Sequence, residues 1–193
     1  MTRLRDRRGS RRANGASMIE VLVTLVIIAF GLLGMAGLQT RLQISELESY
    51  QRSQALLLLN DMANRVATNR SNAASYVTGP SAPMGAGITC PTAVATAAQR
   101  DLKEWCEALQ GAAETTVSGG VTSKVGAMIG GRGCVETVGS DYLITVAWQG
   151  MIPISAPASS VACGASAYNA TGSSCHDDLC RRVVTTLVRV ATL

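Results

Sequence analysis

Residues 16–38, ASMIEVLVTLVIIAFGLLGMAGL, decide how the chain is read: from Ala16 to Leu38 the only charged side chain is Glu20. Wound as an α-helix, this stretch is roughly 34 Å long at the standard rise per residue. A bilayer's hydrocarbon core is about 30 Å thick, so the run is long enough to cross it. The core helix of a soluble protein would carry a polar face, and it would not follow a dense run of arginines. Six arginines (Arg3, Arg5, Arg7, Arg8, Arg11 and Arg12) stand in residues 1–15 against the single acid Asp6. Basic flanks stay on the cytoplasmic side, which puts residues 1–15 inside and everything after Arg41 outside. A secretory signal peptide fits less well, because its apolar region spans about 7–15 residues and ends at a small-residue cleavage site. Glu20 would also interrupt it. Nor does a Phe-Leu pair follow Ser10-Arg11-Arg12, as a twin-arginine signal would require.

Working outward, the helical pattern does not stop at Leu38. No proline occurs before Pro80, and residues 39–68 are rich in Leu, Gln, Glu, Ala and Arg, which favour helix. Ile44, Leu47, Ala55, Leu58, Met62 and Val66 recur at spacings compatible with one helical face. The expectation is a single helix from Ser17 to Asn69, its second half laying an apolar stripe on a soluble domain. Residues 71–91 read as loop from their Gly, Pro, Ser and Asn content. Leu102, Trp105, Cys106 and Leu109 predict a short helix closed by Gly111, with Asp101, Lys103, Glu104 and Glu107 on its solvated face. Residues 111–133 read as a second loop. Cys134–Val138 and Tyr142–Trp148 predict paired strands, with Tyr142, Ile144, Val146 and Trp148 on one face. Residues 150–181 read as irregular, and Val183–Ala191 as a closing β-branched strand. The fold class is α+β: one long helix followed by a short antiparallel sheet. The organisation is a basic leader (1–15), the apolar half-helix (16–38), an amphipathic half-helix (39–70) and a globular domain (71–193).

Charge and cysteine narrow the function. The chain carries a net +4, but 11 of its 17 basic residues and 12 of its 13 acidic ones lie beyond residue 15. The basicity belongs to the leader, and the basic face that nucleic-acid binding needs is missing. Six cysteines (Cys90, Cys106, Cys134, Cys163, Cys175 and Cys180) contain no CxxC pair; in an exported chain they predict disulfides. Six allow fifteen pairings. Local proximity favours Cys90–Cys106, Cys134–Cys163 and Cys175–Cys180.

At Gly15-Ala16-Ser17-Met18-Ile19-Glu20-Val21-Leu22-Val23 the sequence resembles the class III signal of type IV prepilins: basic leader, glycine, helix start, and a glutamate fifth after the cut. The run Ala29-Phe30-Gly31-Leu32-Leu33-Gly34-Met35-Ala36-Gly37-Leu38-Gln39 resembles the minor pilins of the type IV pilus modification protein (PilV) family. So do Gly131-Arg132-Gly133-Cys134 and Val146-Ala147-Trp148-Gln149-Gly150. At Ala16 that family usually has phenylalanine. The resemblance implies a type IV pilin-like fold and a minor pilin's work in pilus assembly, initiation or tip formation. It implies cleavage between Gly15 and Ala16 by a prepilin peptidase, which then methylates the new amine. It places the chain in the inner membrane as a single-pass protein with a periplasmic domain, and later in the pilus. Its partners there would be other minor pilins and the major pilin, met through N-terminal helices.

Elementary chemistry is compatible with this. A glycine before the cut lets backbone enter a protease cleft unhindered. Glu20 costs roughly 2.5–3.5 kcal/mol at the centre of a span, less near its end, so a partner is expected. The Ala16 amine freed by cleavage is one such partner, since an α-amine with a pKa of about 7.7–8.0 is mostly cationic at neutral pH. Snorkelling of Glu20 to the interface is the plainer reading. Gly31, Gly34 and Gly37 do not form the GxxxG spacing of a helix-dimer face. Catalysis finds little to use, because the only histidine is His176, and neither a catalytic site nor a metal or cofactor site is expected. The rivals are a type II secretion pseudopilin and, from another class, a membrane-anchored periplasmic enzyme using His176.

Overall fold

The computed structural model describes residues 17–112, 114–126 and 128–190. Helix α1 runs without interruption from Met18 to Thr68, 51 residues. It has the length and apolar character to cross a membrane. The chain divides into two units after Gln43. Up to that point every described residue is exposed, including Leu22, Ile27, Phe30 and Leu33.

From Ile44 onward the helix buries a stripe of Gln51, Ala55, Leu59, Met62 and Val66, spaced three or four apart as one helical face requires. This corrects the expected stripe at Leu47, which is 50% exposed. Counting back from Gln51 by three and four reaches Glu48 and Ile44, both only partly exposed, and steps over Leu47. After α1 a 3-10 turn, Arg70–Tyr76, and the two-residue strand β1, Met84–Gly85, occupy the stretch expected to be loop.

Helix α2 spans Ala97–Leu109. Thr96 and Gln99 bond each other's backbone amides in a capping box, which satisfies amides that a helix start leaves open. The expected loop 111–133 is corrected: it contains a hairpin of β2 (Thr115–Ser118) and β3 (Val121–Lys124). Its turn is Gly119-Gly120, both at positive φ, the backbone that a two-residue hairpin turn needs.

The main sheet is antiparallel with order β1-β4-β5-β6, where β4 is Arg132–Val138, β5 Asp141–Gln149 and β6 Arg181–Val188. The closing strand thus starts two residues earlier and ends three earlier than Val183–Ala191. Register sets Val135 against Ile144 and Val146 against Val184. Tyr142, Ile144, Val146 and Trp148 therefore share a face, and Ile144, Val146 and Trp148 enter the core with Leu59, Met62, Trp105 and Leu109. Burying each such side chain contributes roughly 1.5–3 kcal/mol. The disulfides join Cys90 to Cys106, Cys134 to Cys163 and Cys175 to Cys180, the pairs that local proximity favours. The described chain is an α+β protein: a long N-terminal helix, a small antiparallel sheet and three cross-links.

Candidate functional site

The proposed cut site, Gly15 and Ala16, lies outside the described residues. Glu20 lies in the first turn of α1. A carboxylate there favours the helix, because free backbone amides leave that end positive. None of the ion pairs among the described residues uses Glu20. The polar side chains downstream bond their own helix: Thr24 Oγ1 donates to Val21 O at 2.8 Å and Thr40 Oγ1 to Ala36 O at 3.1 Å. That is how hydroxyls survive in an apolar span. Around Gly31, Gly34 and Gly37 a Cβ would meet nothing within 4 Å. Nothing within the described chain therefore needs glycine there, and the helix is unbroken through all three. Residues 18–38 thus present an apolar surface whose one acid stands near the start, and the polar Gln39, Thr40, Arg41 and Gln43 follow it.

The two motifs downstream have packing duties. Trp105 lies flat on β4 at Gly133, where a Cβ would stand 2.2 Å from the indole. Its Nε1 donates to Leu58 O at 2.9 Å, so one ring joins α2, β4 and α1. Arg132 stacks over the Tyr168 ring at 5.0 Å, and Cys134 ties β4 to the irregular region. At Gly150 a Cβ would sit 2.6 Å from the Arg182 guanidinium carbon. Arg182 in turn reaches Ile152 O at 2.6 Å and Glu48 Oε1 at 3.3 Å. Glu48 also accepts from Met151 N. A cleft of about 350 Å³ opens beside this pair, but its charges are largely spent on each other.

Two further clusters escape a sequence reading. Arg65 binds Asp61, Asp101 and Glu104 at 2.7–3.0 Å. Burial pulls its guanidinium down, but the hydrogen bonds to Glu104, Asp61 and Asp101 outweigh that and push it up. Tyr76 also donates to Asp101, and its hydroxyl is pushed up by burial and then by that carboxylate. Asp101 and Glu104 are therefore not simply solvated, as expected of α2's outer face; they hold α2 to α1. Lys103 and Glu107 do pair along the surface. Arg181 is 3% exposed and bonds Asp178, Val161 O and Cys163 O. Asp61 and Asp178 stand within four residues of Arg65 and Arg181, but their other partners sit up to 39 residues away, where no local spacing announces them. His176 lies on an exposed loop 2.9 Å from Asp177. No trio of His, Cys, Asp or Glu gathers as a metal site among the described residues. The chain matches no protein-family model, no curated protein and no solved structure.

Proposed function

We propose that the chain is a non-catalytic subunit of a helical filament, a minor pilin of the type IV pilus, which joins its neighbours through residues 16–38. The observation that carries this reading is α1 itself: one continuous helix whose first part, to Leu38, exposes an apolar surface and one acid, and whose second part is built into a folded domain. A single-pass anchor alone would satisfy the apolar surface. The basic leader would orient an anchor as well, but Gly15 and Glu20 add what an anchor does not need, a point of cleavage and a charge awaiting a partner. Prepilin peptidase cuts between Gly15 and Ala16 and methylates the amine, with the folded domain in the periplasm. The mature helix then leaves the inner membrane for the filament, beside other minor pilins and the major pilin.

Within the filament, the Ala16 amine of one subunit pairs with Glu20 of the next and sets axial register. Glu20→Ala would strand that amine, and an unmatched member of a buried pair costs about 3–5 kcal/mol. The variant should insert, be cut after Gly15, and fail to enter sheared pili. Equal wild-type and variant amounts in the pilus fraction would sink the pairing. A mature terminus anywhere but Ala16 would sink the prepilin reading. Loss of protein secretion rather than of surface pili on deletion would assign the chain to a type II secretion pseudopilus.

A further inference from the structure

We propose that the Cys175–Cys180 disulfide is a thiol-exchange site, attacked at Cys175 Sγ by a dithiol donor, and that its opening loosens the strap of residues 150–154 at Gly150 and Ile154. The three disulfides differ in what surrounds them. Cys106, Cys134 and Cys163 are fully buried and Cys180 nearly so, so neither sulfur of Cys134–Cys163 can be approached, and Cys175–Cys180 is open only at Cys175. Cys90 and Cys175 are each partly exposed. Cys90 is bonded into α2, whose core side holds Trp105 and Leu109. Cys175 sits within a surface loop in which residues 171–174, 176 and 177 are all exposed.

Ring size points the same way. The cross-links span 29, 16 and 5 residues, and a disulfide stabilises a fold more as its loop lengthens. By linkage, the fold protects each disulfide from reduction to the same degree, so the smallest ring is protected least. Inside that ring, Asp177 and Asp178 are held at φ 51° and 60°. Aspartate tolerates this region better than most residues but does not prefer it, and opening the ring lets both relax.

The ring also holds something. Cys180 O accepts from Gly150 N and Leu179 O from Ile154 N, each at 2.8 Å. Leu179 O takes Arg182 Nη1 at 3.1 Å. The strap so held exposes Met151, Ile152 and Ile154.

The exchange balances. One thiolate of the donor attacks Cys175 Sγ, the Sγ–Sγ bond breaks, and Cys180 leaves as a thiolate that takes up a proton. The donor's second thiolate attacks the mixed disulfide and expels Cys175, which is likewise protonated. The donor ends as a disulfide, and the protein pair has gained two electrons and two protons.

The test treats the purified full chain in detergent with graded dithiothreitol, quenches it with an alkylating agent and maps the labelled peptides. Cys175 and Cys180 should be labelled at least about tenfold faster than the other four, as thiol access governs exchange. Earlier labelling of Cys90 and Cys106, or simultaneous labelling of all six, overturns the proposal. A Cys175→Ser/Cys180→Ser chain should keep its cooperative melt while the amides of Gly150 and Ile154 exchange faster than that of Ile144. Unchanged protection at Gly150 and Ile154 overturns it, and so does a chain that no longer folds, because the opening is local.

Discussion

Helix α1 contains two regions with the same backbone and opposite partners. Residues 18–43 expose every side chain, whereas residues 44–68 bury Gln51, Ala55, Leu59, Met62 and Val66 against the rest of their own unit. The difference is one of patterning: up to Leu38 the surface is apolar on every side but for Glu20 and selects no partner within the fold, while a stripe selects a single core. Mean hydropathy over the whole helix would hide this. The sharpest way to break the comparison is to cut it. A fragment beginning at Ile44 should move from the membrane fraction to the soluble one and still melt cooperatively, since it retains the core and all three disulfides. Aggregation of that fragment, or a melt without cooperativity, would mean that residues 18–43 support the fold and that the two regions are not independent.

A smaller but still large effect is expected at Trp105. Its ring fills the space between Leu58, Gly133 and the core, and Trp105→Ala should cost about 3–5 kcal/mol of unfolding free energy. Leu32→Ala, in the first region, should leave the urea midpoint of the folded domain where it was. If Leu32→Ala shifted that midpoint comparably, the division between the regions would fail.

Arg65 tests how the second region is joined to α2. Removing it leaves Asp61, Asp101 and Glu104 without their shared cation, and Arg65→Leu should cost about 1–2 kcal/mol, less than a fully buried pair because Glu104 is half open to solvent. Arg65→Lys restores the charge but not the planar fork and should recover only part of the loss, read by urea denaturation. Full recovery by lysine would make charge alone the tie.

These residues also show what was legible in advance. The long helix was readable because its evidence is local: no proline, a membrane-length apolar run, then a change of periodicity. The disulfide pairs follow chain proximity, and the β4–β5 hairpin follows strand alternation. The β2–β3 hairpin escaped because TTVS and VTSK are exposed on both faces and show no alternation to detect. Leu59 belongs to the buried stripe and Leu47 does not; in a stretch with Leu at 56, 57, 58 and 59, composition cannot set its phase. Arg65 escaped because two of its three partners, Asp101 and Glu104, lie on another helix. Of the site residues expected from the sequence, Gly15 and Ala16 lie outside the described residues, and Glu20 joins none of the ion pairs among them.

The smallest effect is expected at a carboxylate set apart from the ion pairs, in the folded unit that residues 44–68 help to build. Glu136 lies on β4 with Oε1 buried and no hydrogen-bond partner, and burial pushes its carboxyl above the usual value. The folded state therefore prefers the protonated acid. Because the folded pKa is raised, the associated stability is fully present below the unfolded value of about 4.3 and is lost as pH rises through the folded one. Glu136→Gln stays neutral throughout and escapes that loss. At pH 7 it should stabilise the domain by about 0.5 kcal/mol, a small figure because part of the side chain remains solvated. Near pH 3.5 the two proteins should differ little, both side chains then being largely uncharged. Paired urea denaturations at the two pH values read the difference directly, since every other carboxylate titrates alike in both chains. A glutamine variant less stable at pH 7, or a gain that persists undiminished at pH 3.5, would show that the Glu136 charge is not what the fold resists.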